Sequence, residues 1–250
     1  MEAIIVSVLA QTGGLLVDKH LLAKRKMPLS TYIPLLFAFL FILTAITLYW
    51  TGAINVVLAF SQQYIFYFIL MVHLAITWNM FYYEGLKKER LIEFEMVMLL
   101  TPLVTILFAT AFFPEEFNLS IFIASIVGCL TLLVSHLRKH HFEFDRYTIH
   151  LTLGVVLMAL ETMVQKELLT IYSPALLYAM RTAFIAVFFW TYYRPNMKDV
   201  NNRDFQIVWF AAFLGAISMV TKFYGFQQLG VTYTTLLLLI VPVASTWLDS

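Results

Sequence analysis

The sequence predicts an all-α integral membrane protein, on three observations. Of 250 residues, 61% are hydrophobic and only 12% are charged, where a soluble domain carries roughly 25% charged residues. Mean hydropathy is +0.83. The apolar residues fall in runs of about 20, the length that crosses ~30 Å of hydrocarbon as a helix. A membrane barrel does not fit, because its strands alternate in polarity over about 10 residues and these runs are continuously apolar.

Runs bounded by charge, Pro or Gly give nine candidate transmembrane helices, at 4–22, 31–50, 63–83, 92–113, 118–137, 148–169, 174–193, 205–226 and 231–247. The first opens within a few residues of Met1 and lacks both a basic leader and a small-residue cleavage site, so it reads as a retained helix. The second and third carry Tyr32, Trp50 and Tyr83 near their ends, where interfacial aromatics are expected. The fourth holds Pro102, and the fifth follows an acidic turn, Pro114, Glu115 and Glu116. The sixth, seventh and eighth each hold one charge well inside the run: Glu161, Arg181 and Lys222. The ninth holds Pro242. Short loops join them all. A formal charge of +1 gives no case for a nucleic-acid partner, and the single Cys129 gives none for a disulfide or a Cys-based metal site. No cofactor or metal is expected.

Loop charge supports this division. Lys24, Arg25, Lys26, Lys87, Lys88, Arg90, Arg138, Lys139, Arg146, Arg194, Lys198 and Arg203 all follow odd-numbered helices, and loops after even-numbered ones hold no Lys or Arg. Because Lys and Arg in short loops stay cytoplasmic, the N-terminus is expected outside.

The chain also aligns with itself. Val17 to Leu22 match Val164 to Leu169 at a shift of 147, which keeps Lys19 on Lys166. Leu99 to Leu103 match Leu239 to Val243 at a shift of 140, keeping Pro102 on Pro242 and Gly85 on Gly225. A unit of five helices is odd, so the second copy must cross in the opposite sense. The basic loop after helix one and its uncharged counterpart after helix six agree with that inversion. The expectation is two inverted five-helix repeats, 1–137 and 147–250, the second cut short before a missing tenth helix.

With this pattern the chain resembles the drug/metabolite transporter superfamily, in its EamA-like group of ten-helix carriers. The resemblance is carried by Asp18, Lys19, Leu21 and Leu22, by Tyr83 to Leu86, by Leu99 to Thr105, by Pro114 to Glu116, and by Gly128, Gly225, Leu229, Gly230 and Leu236 to Pro242. It implies a carrier in the cell membrane. It also implies both termini in the cytoplasm, against the orientation the loop charges favour.

A charge in mid-membrane costs ~2.5–3.5 kcal/mol on insertion scales, so each survivor calls for a partner, a wet cavity or a function. Glu161 and Arg181 read equally as a buried ion pair and as substrate-facing charges. Lys222 lies on a stripe with Gly215, Ser218 and Gly225, whose small residues leave room for a cavity. His73 and Thr77 share a face with Glu84, and Gln11 shares one with Asp18 through Gly14. The candidate substrate-binding residues are therefore Glu161, Arg181, Lys222, Ser218, His73, Thr77 and Gln11, with Pro102 and Pro242 as helix breaks. Asp18, Lys19 and Lys166 lie nearer helix ends, where long side chains snorkel to the interface.

The expected function is a secondary carrier that moves a small polar metabolite by alternating access, with proton or exchange coupling. The expected partners are that metabolite and the lipid bilayer, with a homodimer as an open option. A membrane-bound enzyme is the alternative from another class: His140 and Asp145 have the spacing of an acyltransferase base, but no further catalytic block follows. A channel-like subunit is the other alternative.

Overall fold

Hydrocarbon offers no hydrogen bonds, so a segment crossing it must pair its own backbone groups, and a helix does so locally. The computed structural model describes residues 2–51, 62–137, 146–197, 200–241 and 244, and among them every regular element is helical, with no strand. Helix α1 spans Glu2–Lys19 and runs on through a π-helical turn, His20–Lys24. It is followed by α2 (Leu29–Thr51), α3 (Gln62–Lys88), α4 (Leu91–Met98), α5 (Leu100–Phe112), α6 (Leu119–Leu137), α7 (Arg146–Leu168), α8 (Pro174–Tyr193), α9 (Asn202–Leu229) and α10 (Val231–Leu238).

Local chemistry sets several of these ends. The Asn118 side chain accepts from the Ser120 and Ile121 amides at the start of α6. Ser173 caps α8, accepting from the Leu176 amide at 3.3 Å, and Pro174 follows at the first helical position, where its missing N–H costs nothing. Asn201 caps α9 through the Asp204 amide at 2.7 Å. Gly230 separates α9 from α10 at φ 82°, a left-handed value that glycine adopts without strain.

Among the described residues seven stretches are long and apolar enough to cross a membrane: Glu2–Lys24, Leu29–Tyr49, Tyr64–Lys88, Glu93–Phe112, Arg146–Leu168, Pro174–Tyr193 and Asn202–Leu229. The run expected at 118–137 is α6, whose apolar part, Leu119–Thr131, is shorter. The expected ninth helix is described only in part, and Pro242 lies outside the described residues. The run expected at 92–113 is the single stretch Glu93–Phe112, interrupted by a turn at Leu99 between α4 and α5, three residues before the Pro102 expected to break it. Pro102 lacks the N–H that would bond the carbonyl four residues back, and its ring crowds the same turn. A break of the same kind ends α10 at Leu239.

Helix α3 packs along α7, α1 along α9 and α2 along α8, while α5 meets α10. Their shared core includes Tyr32, Phe37, Leu86, Phe189, Phe223 and Phe226. The outer face is apolar too, with Leu9 68% and Phe66 65% exposed. In water so broad an apolar exterior is an aggregation surface; against lipid it is the expected one. Many hydroxyls bond back to their own helices: Thr44 donates to the Leu40 carbonyl, Thr162 to Met158 and Thr221 to Ile217.

The two lysines expected to snorkel instead tie helices together. Lys19 Nζ donates to the carbonyl of Leu86 at 2.6 Å and to that of Glu89, at the C-terminal end of α3. Lys166 Nζ donates to the Phe226 carbonyl at 2.9 Å, near the C-terminal end of α9. Late carbonyls of a helix lack intrahelical donors, and a cation there also meets the negative end of the macrodipole.

Polar ties also sort the ends of the bundle. Arg25 pairs with Asp204, and Lys87 Nζ donates to the Met27 carbonyl at 3.0 Å, so the turn after α1, the end of α3 and the start of α9 share one end. Gln227 Nε2 donates to the Leu169 carbonyl at 3.0 Å, and Glu115 lies near Lys166 and Gln227 at the other end. In a Cys129→Ser background, Lys88→Cys and Arg203→Cys are expected to react with an impermeant thiol reagent from one side of sealed vesicles and Glu115→Cys from the other. Labelling of Lys88→Cys and Glu115→Cys from the same side would refute this arrangement.

Candidate functional site

Where α1, α2, α3, α7, α8 and α9 meet, they enclose a cavity of about 140 Å³. Helix α1 contributes Gln11 and Asp18, α3 Trp78, Asn79, Tyr82 and Tyr83, and α7 Glu161, Thr162 and Gln165. Tyr178 and Arg181 enter from α8, and Ser218 and Lys222 from α9. A smaller cavity of about 80 Å³ adjoins it toward the broken helices, lined by Glu95, Thr101, Pro102 and Thr105 of α4 and α5 and by Thr235 of α10. Gln11, Tyr82, Met158, Thr162 and Lys222 line both.

The most strongly bonded group is Glu161, 1% exposed. Its Oε1 accepts from Arg181 Nε at 2.6 Å and from Gln165 Nε2 at 2.7 Å. Its Oε2 accepts from Arg181 Nη2 at 3.3 Å and from the Trp78 indole N–H. The guanidinium, on a side chain 2% exposed, lies 5.9 Å from the ring centres of both Trp78 and Tyr178. A two-point Arg–carboxylate pair with further donors and flanking aromatic faces is what a buried ion pair needs to offset desolvation. The chemistry is therefore that of a cross-brace: α3, α7 and α8 are held at one point, and little hydrogen-bonding capacity is left on the carboxylate.

Asp18 and Lys222 are bonded differently. Asp18 accepts a hydrogen bond from the Tyr32 hydroxyl. Lys222 Nζ lies 5.3 Å from the centre of the Phe226 ring, a cation–π contact, and among the described residues it pairs with no carboxylate.

Of the residues singled out from sequence, the structure brings Glu161, Arg181, Lys222, Ser218 and Gln11 together on the larger cavity. Ser218 also serves packing, since Ser7 Oγ donates to its carbonyl at 2.8 Å where α1 crosses α9. Pro102 is on the wall of the smaller cavity. His73 and Thr77 are elsewhere. Both are exposed on the outer face of α3, where His73 Nδ1 lies 2.9 Å from the Ile69 carbonyl and Thr77 Oγ1 donates to the His73 carbonyl at 2.9 Å. The two do share a face, as their spacing requires, but a spacing does not say which way the face points.

Sequence reasoning missed Glu95 and the aromatic walls, and it set Asp18 aside for its place near a helix end. Asp18 is nonetheless buried, only 9% exposed, and lines the larger cavity. Glu95, a carboxylate within an apolar run and 2% exposed, was open to discovery by the same test applied to Glu161. Among the described residues no three of His, Cys, Asp and Glu converge as metal ligands. His140 and Asp145 lie outside the described residues.

No family model matches the chain, and no curated protein matches it. A solved structure described as "Crystal structure of protein" has the same fold, with a TM-score of 0.70 over 99% of this chain and 88% of that one at 17% identity. Its description names no activity, and the likeness is one of fold.

Removing one partner of a buried pair strands the other charge, which costs about 3–5 kcal/mol, whereas replacing both by apolar residues is often neutral. Glu161→Gln and Arg181→Met are each expected to lower the melting temperature in detergent strongly, and the double variant to recover most of the loss. A double variant as unstable as the sum of the two singles would show that they act separately.

Proposed function

We propose that the protein is a secondary carrier in the cell membrane, of the EamA-like group of drug/metabolite transporters, moving a small polar metabolite by alternating access. The observation that carries this reading is a cavity with four charged side chains at the centre of a bundle whose exterior is apolar. So expensive an arrangement in hydrocarbon suits a solute that must be handed across it.

The carrier reading includes two inverted five-helix repeats, 1–137 and 147–250, and nine membrane-crossing helices. Support comes from features that recur at the two shifts seen in sequence. Leu99 (φ −60°, ψ −21°) and Leu239 (φ −58°, ψ −16°) break their helices alike. Lys19 bonds the Leu86 carbonyl, and its counterpart Lys166 bonds that of Phe226, the counterpart of Leu86. A Cβ built on Gly85 falls 3.3 Å from Leu151, and one built on Gly225 falls 3.4 Å from Ile4, again counterparts. The pairing of α3 with α7 mirrors that of α9 with α1.

In this mechanism one half rocks against the other around the cavity. The Arg25–Asp204 pair joins the halves at the basic end, which by the positive-inside tendency is the cytoplasmic end. Their counterparts are Tyr172 and Tyr64, which carry no opposite charges. Opening toward the basic end thus requires this pair to part.

Proteoliposomes are expected to take up a solute from a metabolite panel saturably, faster when the same solute is preloaded, and without bilayer current. Oxidising the Arg25→Cys/Asp204→Cys variant should reduce that uptake at least tenfold, and reduction should restore it. Unsaturable ion current in place of solute exchange would make the protein a channel. Undiminished uptake by the cross-linked variant would remove rocking at this end from the mechanism.

A further inference from the structure

We infer that the outer side of α3 is an interface between two copies of this chain, packed with their α3 helices parallel about a two-fold axis along the membrane normal. The inference stands on the bundle and its exterior, whatever the cavity carries. Phe66, Ile69, His73, Thr77, Glu84 and Lys88 follow one another at steps of three, four and seven, so they form one stripe along α3. Phe66, Ile69, His73, Thr77 and Lys88 are exposed, and the Glu84 side chain is 39% exposed. His73 and Thr77 lie on either side of the middle of the Tyr64–Lys88 stretch. Polar groups at that depth are expensive against lipid, and they serve to hydrogen-bond one helix to another.

The groups themselves indicate what covers them. His73 Nδ1 lies 2.9 Å from the Ile69 carbonyl, which can only accept, so Nδ1 carries the proton. The neutral ring then keeps Nε2 as an acceptor, and lipid chains have no donor to offer it. Thr77 has one. Within one chain its hydroxyl donates to the His73 carbonyl, a group that the helix already bonds through the amide four residues on. Glu84 and Lys88 are not paired with each other. Glu84 lies 3.7 Å from His150 Nδ1, beyond hydrogen-bond length, and Lys88 Nζ lies 5.8 Å from the centre of the Tyr147 ring.

The order of these groups makes the stripe complementary to itself. An acceptor at 73 precedes a donor at 77, and an anion at 84 precedes a cation at 88, each by one step of four. Copies inserted the same way and related by a two-fold axis keep equal residues at equal depth. His73 then meets the partner's Thr77 and Glu84 meets the partner's Lys88, each contact made twice. Parallel coiled coils bridge a comparable offset, about five residues, with the charged pairs that flank their seam. Phe66 and Ile69 extend the contact with apolar packing.

The test is assembly in bilayers. Fluorescently labelled full-length protein at low density is expected to bleach in two steps. In a Cys129→Ser background, oxidation of membranes should cross-link Ile69→Cys to itself and leave Leu9→Cys, also exposed but on α1, as single chains. Glu84→Lys and Lys88→Glu should each lower the two-step fraction at least fivefold alone. Mixed, they should assemble with each other, because one then offers two cations and the other two anions. His73→Leu should also lower the fraction while leaving the melting temperature in detergent unchanged, which separates lost assembly from lost folding. Single-step bleaching of the unaltered protein would mean that the stripe faces lipid alone and would overturn the inference. Cross-linking of Leu9→Cys in place of Ile69→Cys would overturn it too, as would charge variants that assemble with themselves as readily as with each other.

Discussion

A low-dielectric interior charges a penalty for every polar atom left without a partner, and the arrangement of this chain follows from how that penalty is met. Threonines turn back onto the carbonyl one turn earlier, as Thr44, Thr162 and Thr182 do. Lys19 and Lys166, too long to be hidden, end on carbonyls that would otherwise lack donors. Glu161 and Arg181 neutralise one another at the centre. Not every group is met: the buried hydroxyls of Thr12, Thr101 and Thr234 have no hydrogen-bond partner among the described residues, and Asp18 and Lys222 are in no ion pair there.

The central ion pair has a mechanical consequence as well. Trp78 donates to Glu161 from α3, while Arg181 reaches it from α8. In the proposed division of the chain, α3 belongs to the first half and α7 and α8 to the second, so this bond set spans the seam at mid-depth. Arg25 and Asp204 span it at one end. A joint at mid-depth with separable ties toward an end is the arrangement that rocking requires: the centre holds while the end parts.

The helical class and most spans were legible because hydrocarbon thickness imposes a length that an apolar run must meet; the run expected at 174–193 is α8, Pro174–Tyr193. The break was legible in kind, since Pro102 removes one backbone donor, but not in place, because the interruption falls three residues earlier, at Leu99. At the site, a charge inside an apolar run pointed to Glu161, Arg181 and Lys222, because such a charge is expensive wherever the helix faces. Helical spacing alone pointed to His73 and Thr77, and it failed there because periodicity defines a face but not its neighbours. Asp18 was passed over because nearness to a helix end does not say whether a side chain turns outward or into the bundle, where it is 9% exposed. The aromatic walls of Trp78, Tyr82 and Tyr178 were equally hidden, since aromatics also anchor interfaces and fill cores.

The proposed repeat sharpens what the charges mean. Under the two shifts, Asp18 corresponds to Gln165, Glu161 to Gly14 and Lys222 to Tyr82, so none of these charges has a charged counterpart. The features that recur are those of scaffold: lysines on helix ends, glycines at crossings and the breaks before proline. A two-fold scaffold by itself offers a ligand two equivalent orientations. With Asp18 on α1, Glu161 on α7 and Lys222 on α9 all lacking charged counterparts, the cavity wall is not symmetrical even where the packing recurs. Packing must agree between the halves for both to fold by the same rules, whereas the site must differ between them for an unsymmetrical solute to be held in one way.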